Sequence, residues 1–475
     1  MKARQVVLFL LGVFVLLGAL WYVFPAKGVR VGGKTFRFAS REKAIQDRLQ
    51  KQLDLDSLLN EMERRFAMQE DTLAYYKEFF FENPDRILLP DDDYTFFDPV
   101  FQAFEKAREE GKTVRVVHYG DSQIELDRIS SNLREALQER FGGLGTGMFP
   151  ALTTTPMASV SRSSSGGLVS YKMIADSTSR FASHYRYGPL AQVVGLSGSA
   201  TVTLRPQKQK STPKHVRSFS SVSLLYGRAS ADFTAEAVSD TLRPDVRTDT
   251  LGGVTWATWK FSRPVDKASL HLGGSAEIYG VSTDGEAGVT VDNIPMRGST
   301  GIILTRIDTT MLKASFKLDG TRLVILQFGG NFVPASGSTK AISGYMDQVR
   351  EQIAFFQDAA PEAKVLFIGP SDMAVFTEEG DIVSYRRLPE LVDSLKAVSL
   401  QSGAAYWDLY RMMGGKNSMS QWVRHGYAGP DYVHFTPSGA KVVGEALSRS
   451  FLTYHDFYDL RKTLPADAVE QKFGR

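Results

Sequence analysis

The chain carries, at residues 113–122, the segment Thr-Val-Arg-Val-Val-His-Tyr-Gly-Asp-Ser. Its valines predict a short buried strand that ends in a tight turn at Gly120-Asp121-Ser122. A helical pattern follows from about residue 127 to 140, with apolar side chains on one face. A strand, a tight turn and a helix in this order are typical of the start of a doubly wound α/β domain.

Later segments repeat the alternation of short apolar strands and helices. A helix over residues 96–108 is predicted to enter the domain, and a strand-like run occurs at Gly288–Val291. Further strands are predicted at Leu323–Phe328, Val365–Ile368 and Ala404–Trp407, and helices at about 340–359, 385–402 and 437–451. This alternation predicts a parallel sheet that is covered by helices on both faces.

Residues 152–285 have a different character, since they are rich in Ser, Thr and Gly and show few helical periods. Short strands are predicted there at Thr201–Arg205, Ser220–Tyr226, Val254–Phe261, Ala268–Leu272 and Ala276–Val281. Several short strands with turns between them indicate a β-sandwich. Because it interrupts the α/β pattern, we expect it to be inserted into a surface loop of that domain.

Composition limits the classes of protein that fit. A chain of 475 residues predicts two or three domains. The net charge of +3 and the lack of a long basic run give no support for nucleic-acid binding. The chain has no cysteine, which excludes disulfides, thiol catalysis and thiolate metal sites.

An apolar run from Val6 to Phe24 is just long enough to cross a bilayer. We interpret it as an uncleaved anchor with most of the chain exported, although a cleaved signal peptide is an alternative. The basic residues that follow, Lys27, Arg30, Lys34 and Arg37, favour the opposite orientation by a simple positive-inside count. Residues 26–95 are predicted to form a basic linker and a helical stalk.

Three residues could form a nucleophilic triad. Ser122 lies at the end of the first predicted strand, where open α/β sheets bind their ligands. Near the C-terminus, Asp431 precedes His434 by three positions, so one loop could supply both the base and the carboxylate that orients it. The alternative interpretation of each residue is ordinary: a serine that caps a helix, and a histidine on the surface.

Two further positions could stabilise an oxyanion. Asn331 closes a strand after two glycines, and its side-chain amide could donate a hydrogen bond to developing negative charge. Gly298, in Pro295-Met296-Arg297-Gly298-Ser299, could offer its backbone N–H. Both are also common turn residues.

In this order, Ser122, Gly298, Asn331 and Asp431-x-x-His434 resemble the blocks of the SGNH, or Gly-Asp-Ser-Leu, hydrolases. The inserted β-region and the N-terminal apolar run are similar, more narrowly, to the peptidoglycan O-acetylesterases of Gram-negative bacteria. His118-Tyr119-Gly120-Asp121-Ser122-Gln123, then Asp127-Arg128-Ile129, looks like the first block of that family. Two positions depart from the superfamily pattern: Gln123 stands where its name has Leu, and Phe332 where many members have Asp.

The resemblance implies an α/β fold, with a flavodoxin-like three-layer hydrolase domain over residues 96–150 and 286–455. It also implies an insert over 152–285 similar to a carbohydrate-binding jelly roll, beside the transmembrane anchor at 1–25 and a C-terminal tail at 456–475. The implied catalytic residues are Ser122, His434 and Asp431, with Ser122, Gly298 and Asn331 forming the oxyanion hole. No metal or cofactor is implied.

The implied function is a serine acetylesterase that removes O-acetyl groups from a cell-wall glycan, with peptidoglycan as the expected partner. We expect a single-pass protein of the inner membrane with a periplasmic catalytic portion. Two alternatives remain open at this point: an O-acetyltransferase that uses the same residues, and a non-catalytic, membrane-tethered glycan-binding protein.

Several other residues are interpreted conservatively. The aromatic residues Trp256, Trp259, Tyr226 and Tyr279 alternate along strands and are predicted to lie in the core of the insert rather than to bind sugar. His118 and Asp372 lie near strand ends, where pocket and core roles are equally compatible. Arg297 is predicted to lie on the surface.

Overall fold

A computed structural model describes residues 72–464, apart from short gaps at 153–155, 175–178, 209–211, 241 and 243, together with Phe473 and scattered positions before Thr72. Contacts divide the chain into two compact units, Met1–Tyr75 and Tyr76–Arg475. Strands are numbered β1–β19 and helices α1–α9 along the described residues.

The described strands are β1 (Val29–Val31), β2 (Lys34–Phe36), β3 (Ile87–Leu88), β4 (Thr113–Gly120), β5 (Gly147–Phe149), β6 (Val160–Lys172), β7 (Gln192–Pro206), β8 (Phe219–Gly227), β9 (Thr234–Val238), β10 (Asp245–Leu251), β11 (Val254–Val265), β12 (Ala268–Gly273), β13 (Ser275–Asp284), β14 (Gly288–Pro295), β15 (Thr321–Gln327), β16 (Lys364–Ile368), β17 (Ala374–Phe376), β18 (Ile382–Ser384) and β19 (Ala405–Trp407).

The described helices are α1 (Thr72–Glu82), α2 (Asp98–Glu109), α3 (Ser130–Phe141), α4 (Thr309–Asp319), α5 (Thr339–Ala359), α6 (Leu388–Gln401), α7 (Leu409–Met412), α8 (Ser418–Arg424) and α9 (Pro437–Thr463).

In the first unit, β1 and β2 form an antiparallel pair. The predicted anchor at 1–25 falls largely on residues outside the description, and so does most of the predicted stalk, since residues 37–71 are not described. Within the described part of the chain, no helix combines the length and the apolar character that crossing a bilayer requires.

The second unit is built on a six-stranded sheet in the order β14-β4-β15-β16-β19-β3. The first five strands are parallel, and the short edge strand β3 is antiparallel to β19. Numbered among themselves along the chain, the parallel strands have the order 2-1-3-4-5, which is the flavodoxin-like arrangement. The predicted parallel α/β sheet is therefore present, and β3 is an element that the sequence did not indicate.

Helices cover both faces of this sheet. Helices α2, α3 and α9 pack together on one face, and α4, α5 and α6 pack on the other. The strands are buried along almost their whole length, because each apolar run faces a helical layer on both sides. The predicted three-layer architecture follows directly from this burial.

The C-terminal helix is longer than predicted. We expected a tail from residue 456, but α9 continues to Thr463. Phe457 is fully buried, and its ring lies 4.9 Å from both Tyr76 and Phe80 of α1. These aromatic contacts extend the helix beyond the predicted boundary and place α1, which we had assigned to the stalk, against the α/β domain.

The inserted strands β5–β13 are joined by hydrogen bonds into one nine-stranded sheet. The described strands are continuous, since β13 pairs with β7, β8 and β5, and this all-β insert is compatible with the predicted sandwich. One face of this sheet lines an apolar core that includes Phe219, Leu224 and Trp259. Strand β5 precedes the predicted start of the insert at residue 152 and pairs with its last strand.

The other face of the insert packs against the α/β domain. Trp256 and Tyr279 are buried in the same apolar core as residues of α4 and the central sheet. Of the residues predicted for the core of the insert, Trp259 lies there and Tyr226 is partly buried against it, whereas Trp256 and Tyr279 are buried in the core shared with the α/β domain. These aromatic residues of the insert thus pack it against α4 and the central sheet.

Candidate active site

Ser122 follows the end of β4, and Asn331 follows the end of the neighbouring strand β15. The chain changes direction across the sheet between these two strands, which is the place where open α/β sheets bind ligands. Ser122 begins a short 3-10 helix whose N-cap is Asp121, and the Asp121 carboxylate accepts a hydrogen bond from the Gln123 backbone N–H at 2.9 Å. This N-cap holds Ser122 at the carboxyl edge of the sheet.

The structure brings the three predicted catalytic residues together. Ser122 Oγ lies 2.8 Å from His434 Nε2, and His434 Nδ1 lies 2.7 Å from Asp431 Oδ2. Because Nδ1 faces a carboxylate, the tautomer protonated at Nδ1 is favoured, and Nε2 can then accept the serine proton. More than three hundred residues of sequence separate the serine from the histidine, so the fold alone creates this contact.

The carboxylate of Asp431 is held ionised by its surroundings. Partial burial raises its pKa, but hydrogen bonds from the His434 ring and from the backbone N–H groups of Val433 and His434 outweigh that effect and lower the pKa below its ordinary value. Both side chains are accessible, with 42 % of His434 and 50 % of Asp431 exposed. Tyr432, between them, has a left-handed backbone with φ of 56°. A strained residue of this kind is frequent at functional sites.

Two side chains that we did not nominate connect the serine loop to the histidine loop. Gln123 donates from Nε2 to the Val433 carbonyl at 2.6 Å and accepts from the Phe435 N–H at 3.2 Å. Arg128 donates to the carbonyls of Ser122 at 2.8 Å and Phe435 at 3.0 Å. The two residues therefore hold the backbone on both sides of His434. Their only sequence signal was membership of the block around Ser122.

The predicted oxyanion donors differ in whether they already donate a hydrogen bond within the protein. Among the described residues, no group accepts a hydrogen bond from the backbone N–H of Ser122 or Gly298. Gly298 is exposed, has a φ of 73°, and follows β14 in a turn. Asn331 Nδ2 already donates to the Ser299 carbonyl at 3.0 Å and to Asp121 Oδ2 at 3.2 Å. Asn331 would have to release one of these bonds to donate to a substrate oxygen, so its role stays a prediction.

Asp121 is buried beneath the nucleophile. Burial raises its pKa to about 6, although the hydrogen bond from the Gln123 backbone opposes this effect. The same carboxylate holds Asn331, so it connects the ends of β4 and β15. Asp121 is therefore a buried carboxylate that holds the serine turn and Asn331, whereas Asp431 is an accessible carboxylate that contacts His434.

Two of the predicted catalytic residues, Ser122 and His434, line a pocket of about 130 Å³. Its walls include Ser122, Asn331, Pro370, Met373 and His434. A second cleft, of about 420 Å³, lies between the insert and the end of β14, and Glu125 and Arg297 line it. The small pocket suits a short acyl group, and Gly298 does not line it.

The remaining nominated residues have structural roles. His118 is fully buried, contacts Gln327 and Ser130 through its ring nitrogens, and has a pKa that burial lowers to about 4. Asp372 is buried and accepts hydrogen bonds from Ser384 and from the Met419 N–H. Arg297 is exposed, as predicted, and forms a bidentate ion pair with Glu125. Phe332 stacks on Tyr345 with 4.2 Å between the ring centroids.

Among the described residues, one group of side chains has metal-binding spacing: Glu105, His455 and Asp459. It lies on α2 and α9, away from the serine. The Lys462 ammonium contacts both carboxylates, at 2.7 Å and 2.9 Å. An ammonium of the chain itself already pairs with both carboxylates, so the cluster does not fit a metal centre.

Comparison with solved structures identifies the class of fold. The chain is similar to a peptidoglycan O-acetylesterase, with 20 % identity and a TM-score of 0.58, over 74 % of this chain and 95 % of the other. The chain therefore has the SGNH hydrolase fold, and the predicted resemblance is confirmed at that level. Because the identity is low, this likeness establishes the fold and not the substrate.

Two weaker likenesses cover about a third of this chain. An acetylxylan esterase from Geobacillus stearothermophilus matches with 16 % identity over 35 % of this chain and 72 % of its own, at a TM-score of 0.23. The periplasmic domain of a lipopolysaccharide acetyltransferase from Salmonella ser. Paratyphi A matches with 12 % identity over 34 % and 72 %, at a TM-score of 0.25. Neither supports an argument at that score. No protein-family model and no curated protein matches the chain.

Proposed function

We propose that this protein is a serine esterase that removes O-acetyl groups from a cell-wall glycan, with peptidoglycan as the substrate. The observation that carries the proposal is the continuous contact from Ser122 Oγ through His434 to the Asp431 carboxylate. This arrangement converts a weakly nucleophilic hydroxyl into an effective nucleophile.

The reaction follows from the geometry. Ser122 Oγ attacks the acetyl carbonyl while His434 Nε2 takes the hydroxyl proton, and Asp431 stabilises the imidazolium that forms. The unpartnered backbone N–H of Ser122 is available to the oxyanion, together with Gly298 and Asn331 as the further predicted donors. His434 then protonates the leaving sugar oxygen, which leaves acetate bound to Ser122 as an ester. Water, activated by the same histidine, releases acetate and restores the serine.

The exposure of the triad favours hydrolysis over transfer. With 42 % of the His434 side chain and 50 % of the Asp431 side chain exposed, water reaches the acyl-serine from the histidine side. A transferase must keep water from that intermediate. The described loops around this pocket leave it open, which supports the esterase over the acetyltransferase.

The substrate and the location rest on other support. The small pocket beside Ser122 suits an acetyl group, and the similar solved structure is a peptidoglycan O-acetylesterase. The apolar run at Val6–Phe24 supports a membrane anchor with the catalytic portion in the periplasm. Each of the three triad positions carries a residue that can perform its step of the reaction, which argues against a non-catalytic glycan-binding protein.

The test is acetate release by the wild-type chain and by Ser122→Ala, with p-nitrophenyl acetate and then with O-acetylated peptidoglycan. Ser163→Ala, an exposed serine of the insert, is the matched control. We expect release by wild type and Ser163→Ala and a loss of at least about 10³-fold in Ser122→Ala. Acetate release that survives in Ser122→Ala would refute the mechanism. Activity on the small ester but on no glycan would refute the proposed substrate. Transfer of the acetyl group to an added sugar acceptor, in place of the release of free acetate, would favour the transferase.

A further inference from the structure

An aromatic pair, formed by the exposed Phe376 and the partly buried Tyr432, lies beside the proposed catalytic triad. Phe376, at the end of β17, is 65 % exposed. Its ring centroid lies 5.5 Å from that of Tyr432, and the two rings are nearly perpendicular at 87°. Tyr432 is part of the segment that carries Asp431 and His434. A single exposed apolar side chain is ordinary on a protein surface, so the position of this one beside the reacting groups gives it significance.

The strand that presents Phe376 is rigidly supported. Strands β17 and β18 form an antiparallel hairpin with Phe376 opposite Ile382. At its base, Ser384 donates to the buried Asp372 carboxylate at 2.7 Å, and the Ser384 N–H donates to Asn417 Oδ1 at 3.1 Å. A backbone that is held in this way needs little ordering when a ligand covers the ring that it presents.

The hairpin is also connected to the histidine loop. The Ala374 N–H donates to the Tyr432 carbonyl at 3.2 Å. Met373, directly before the hairpin, lines the catalytic pocket together with Val433 and His434. The aromatic pair is therefore continuous with the wall of the pocket that contains Ser122.

Charge around the pair selects the kind of ligand. The tip of the hairpin carries three exposed carboxylates, Glu378, Glu379 and Asp381. Carboxylates accept hydrogen bonds from hydroxyl groups and repel anionic groups. A pyranose ring has an apolar C–H face that packs well on an aromatic ring, and hydroxyls at its edge.

We propose that Phe376 and Tyr432 form a stacking platform for an uncharged pyranose ring of the glycan, adjacent to the sugar whose ester is cleaved. This inference rests on the proposed function and extends it from the acetyl group to the neighbouring sugar. Phe376 is then a positioning residue for the polymer: it contributes to binding a glycan and contributes nothing to the reaction of a small ester.

The experiment compares Phe376→Ala with wild type in the full chain, using p-nitrophenyl acetate and O-acetylated peptidoglycan fragments. We expect KM for the fragments to rise roughly threefold to tenfold, with kcat unchanged, because one ring contact is lost. Kinetics with the small ester should stay the same, and Phe376→Trp should restore the KM. Phe181→Ala removes a ring of the insert that is 51 % exposed, and it should leave both substrates unaffected.

Two kinetic outcomes would overturn the platform. An unchanged KM for the fragments would show that the ring contacts no sugar. An equal loss of activity on both substrates would show that Phe376 only supports the Tyr432 loop.

If wild type cleaves the small ester but no glycan, the proposed function fails by itself. The platform is then judged by calorimetric binding of a neutral N-acetylglucosamine oligosaccharide to Ser122→Ala, with and without Phe376→Ala. Binding that requires Phe376 supports the platform, and binding that is absent or independent of Phe376 refutes it.

Discussion

The two ends of strand β4 place carboxylates in opposite environments. At the carboxyl end, Ser122 and His434 meet Asp431, which is half-exposed. Near the amino end, Arg115 is enclosed by carboxylates and lies 2.6 Å from Asp292, 3.1 Å from Asp284 and 3.9 Å from Asp319. The first group pairs one carboxylate with one base, and the second places three carboxylates around one guanidinium.

The pKa of Asp431 and the pKa values of the carboxylates around Arg115 shift in opposite directions. Hydrogen bonds lower the pKa of Asp431, whereas burial raises the pKa of Asp292 to about 6 and that of Asp319 to about 7 despite the nearby Arg115. At Asp431 hydrogen bonding exceeds desolvation, whereas at Asp292 and Asp319 desolvation exceeds the attraction of the Arg115 cation. The carboxylate that must be charged for the proposed reaction is thus the accessible one.

The buried group has a structural role that the exposed one lacks. Asp284 and Ser282 belong to β13 of the insert, while Arg115 and Asp292 belong to the central sheet. Arg115 donates to all three of these partners, so it connects the insert to the α/β domain. We expect changes at the exposed end to affect turnover and changes at the buried end to affect stability.

The largest expected effect is at the exposed end. Asp431→Asn keeps the size of the side chain but removes the charge that favours the correct His434 tautomer. We expect kcat/KM for p-nitrophenyl acetate to fall by about 10²–10⁴-fold, with the free energy of unfolding nearly unchanged. Asp347→Asn, an exposed carboxylate of α5, is the control and should retain full activity. Activity of Asp431→Asn within twofold of wild type would contradict the role of the carboxylate.

At the buried end, Arg115→Met removes the only cation within contact of these carboxylates in the described structure. We expect the free energy of unfolding at pH 7 to fall by about 3–5 kcal/mol, because buried charges lose their partner. Urea denaturation measures this loss. Arg350→Met breaks an exposed pair and should change stability by less than about 0.5 kcal/mol. If Arg115→Met changed the free energy of unfolding equally little, the buried cluster would not have the structural role proposed for it.

The raised pKa values of Asp292 and Asp319 also predict a pH dependence. In the folded protein these groups keep their protons up to about pH 6 and 7, whereas their ordinary value is 3.8, so the folded state binds more protons than the unfolded state in that interval. Their contribution to stability is therefore complete below about pH 4 and is lost progressively as the pH rises through 6 and 7, by several kcal/mol.

Urea midpoints at pH 4, 5, 6 and 7 measure this decline. Asp319→Asn should flatten it, since an amide oxygen can still accept the hydrogen bonds of Thr321 without taking up a charge. The difference between the two curves isolates Asp319 from other carboxylates. Parallel curves for the variant and wild type would show that groups other than Asp319 cause the pH dependence.

The sequence predicted the features that depend on local patterns. Runs of β-branched and apolar residues gave the five parallel strands, and residue types in a fixed order gave Ser122, Asp431 and His434. Strand β3 was missed because two residues carry no periodicity, and β10 because its residues are mostly exposed and polar. The Arg115 cluster was not predictable, since its partners lie more than 160 residues away and no spacing rule connects them.

The contacts of Gln123 belong to the same class of features that only the fold reveals, and they give the smallest expected effect. Gln123→Leu installs the residue of the superfamily name and removes the two hydrogen bonds to the backbone around His434. Neutral hydrogen bonds are worth about 0.5–1.5 kcal/mol each, so we expect kcat for p-nitrophenyl acetate to fall by roughly threefold to tenfold.

Gln357→Leu is the matched control, because Gln357 donates to the Ser402 carbonyl at 2.8 Å far from the serine. It should lower stability to a similar degree and leave kcat unchanged. If Gln123→Leu loses stability but keeps its kcat, then Arg128 and the bonds of Asp431 to the backbone suffice to position His434. If kcat falls while stability is retained, the two neutral hydrogen bonds of Gln123 set the position of His434. Charge and burial have the corresponding role around Arg115 in the interior.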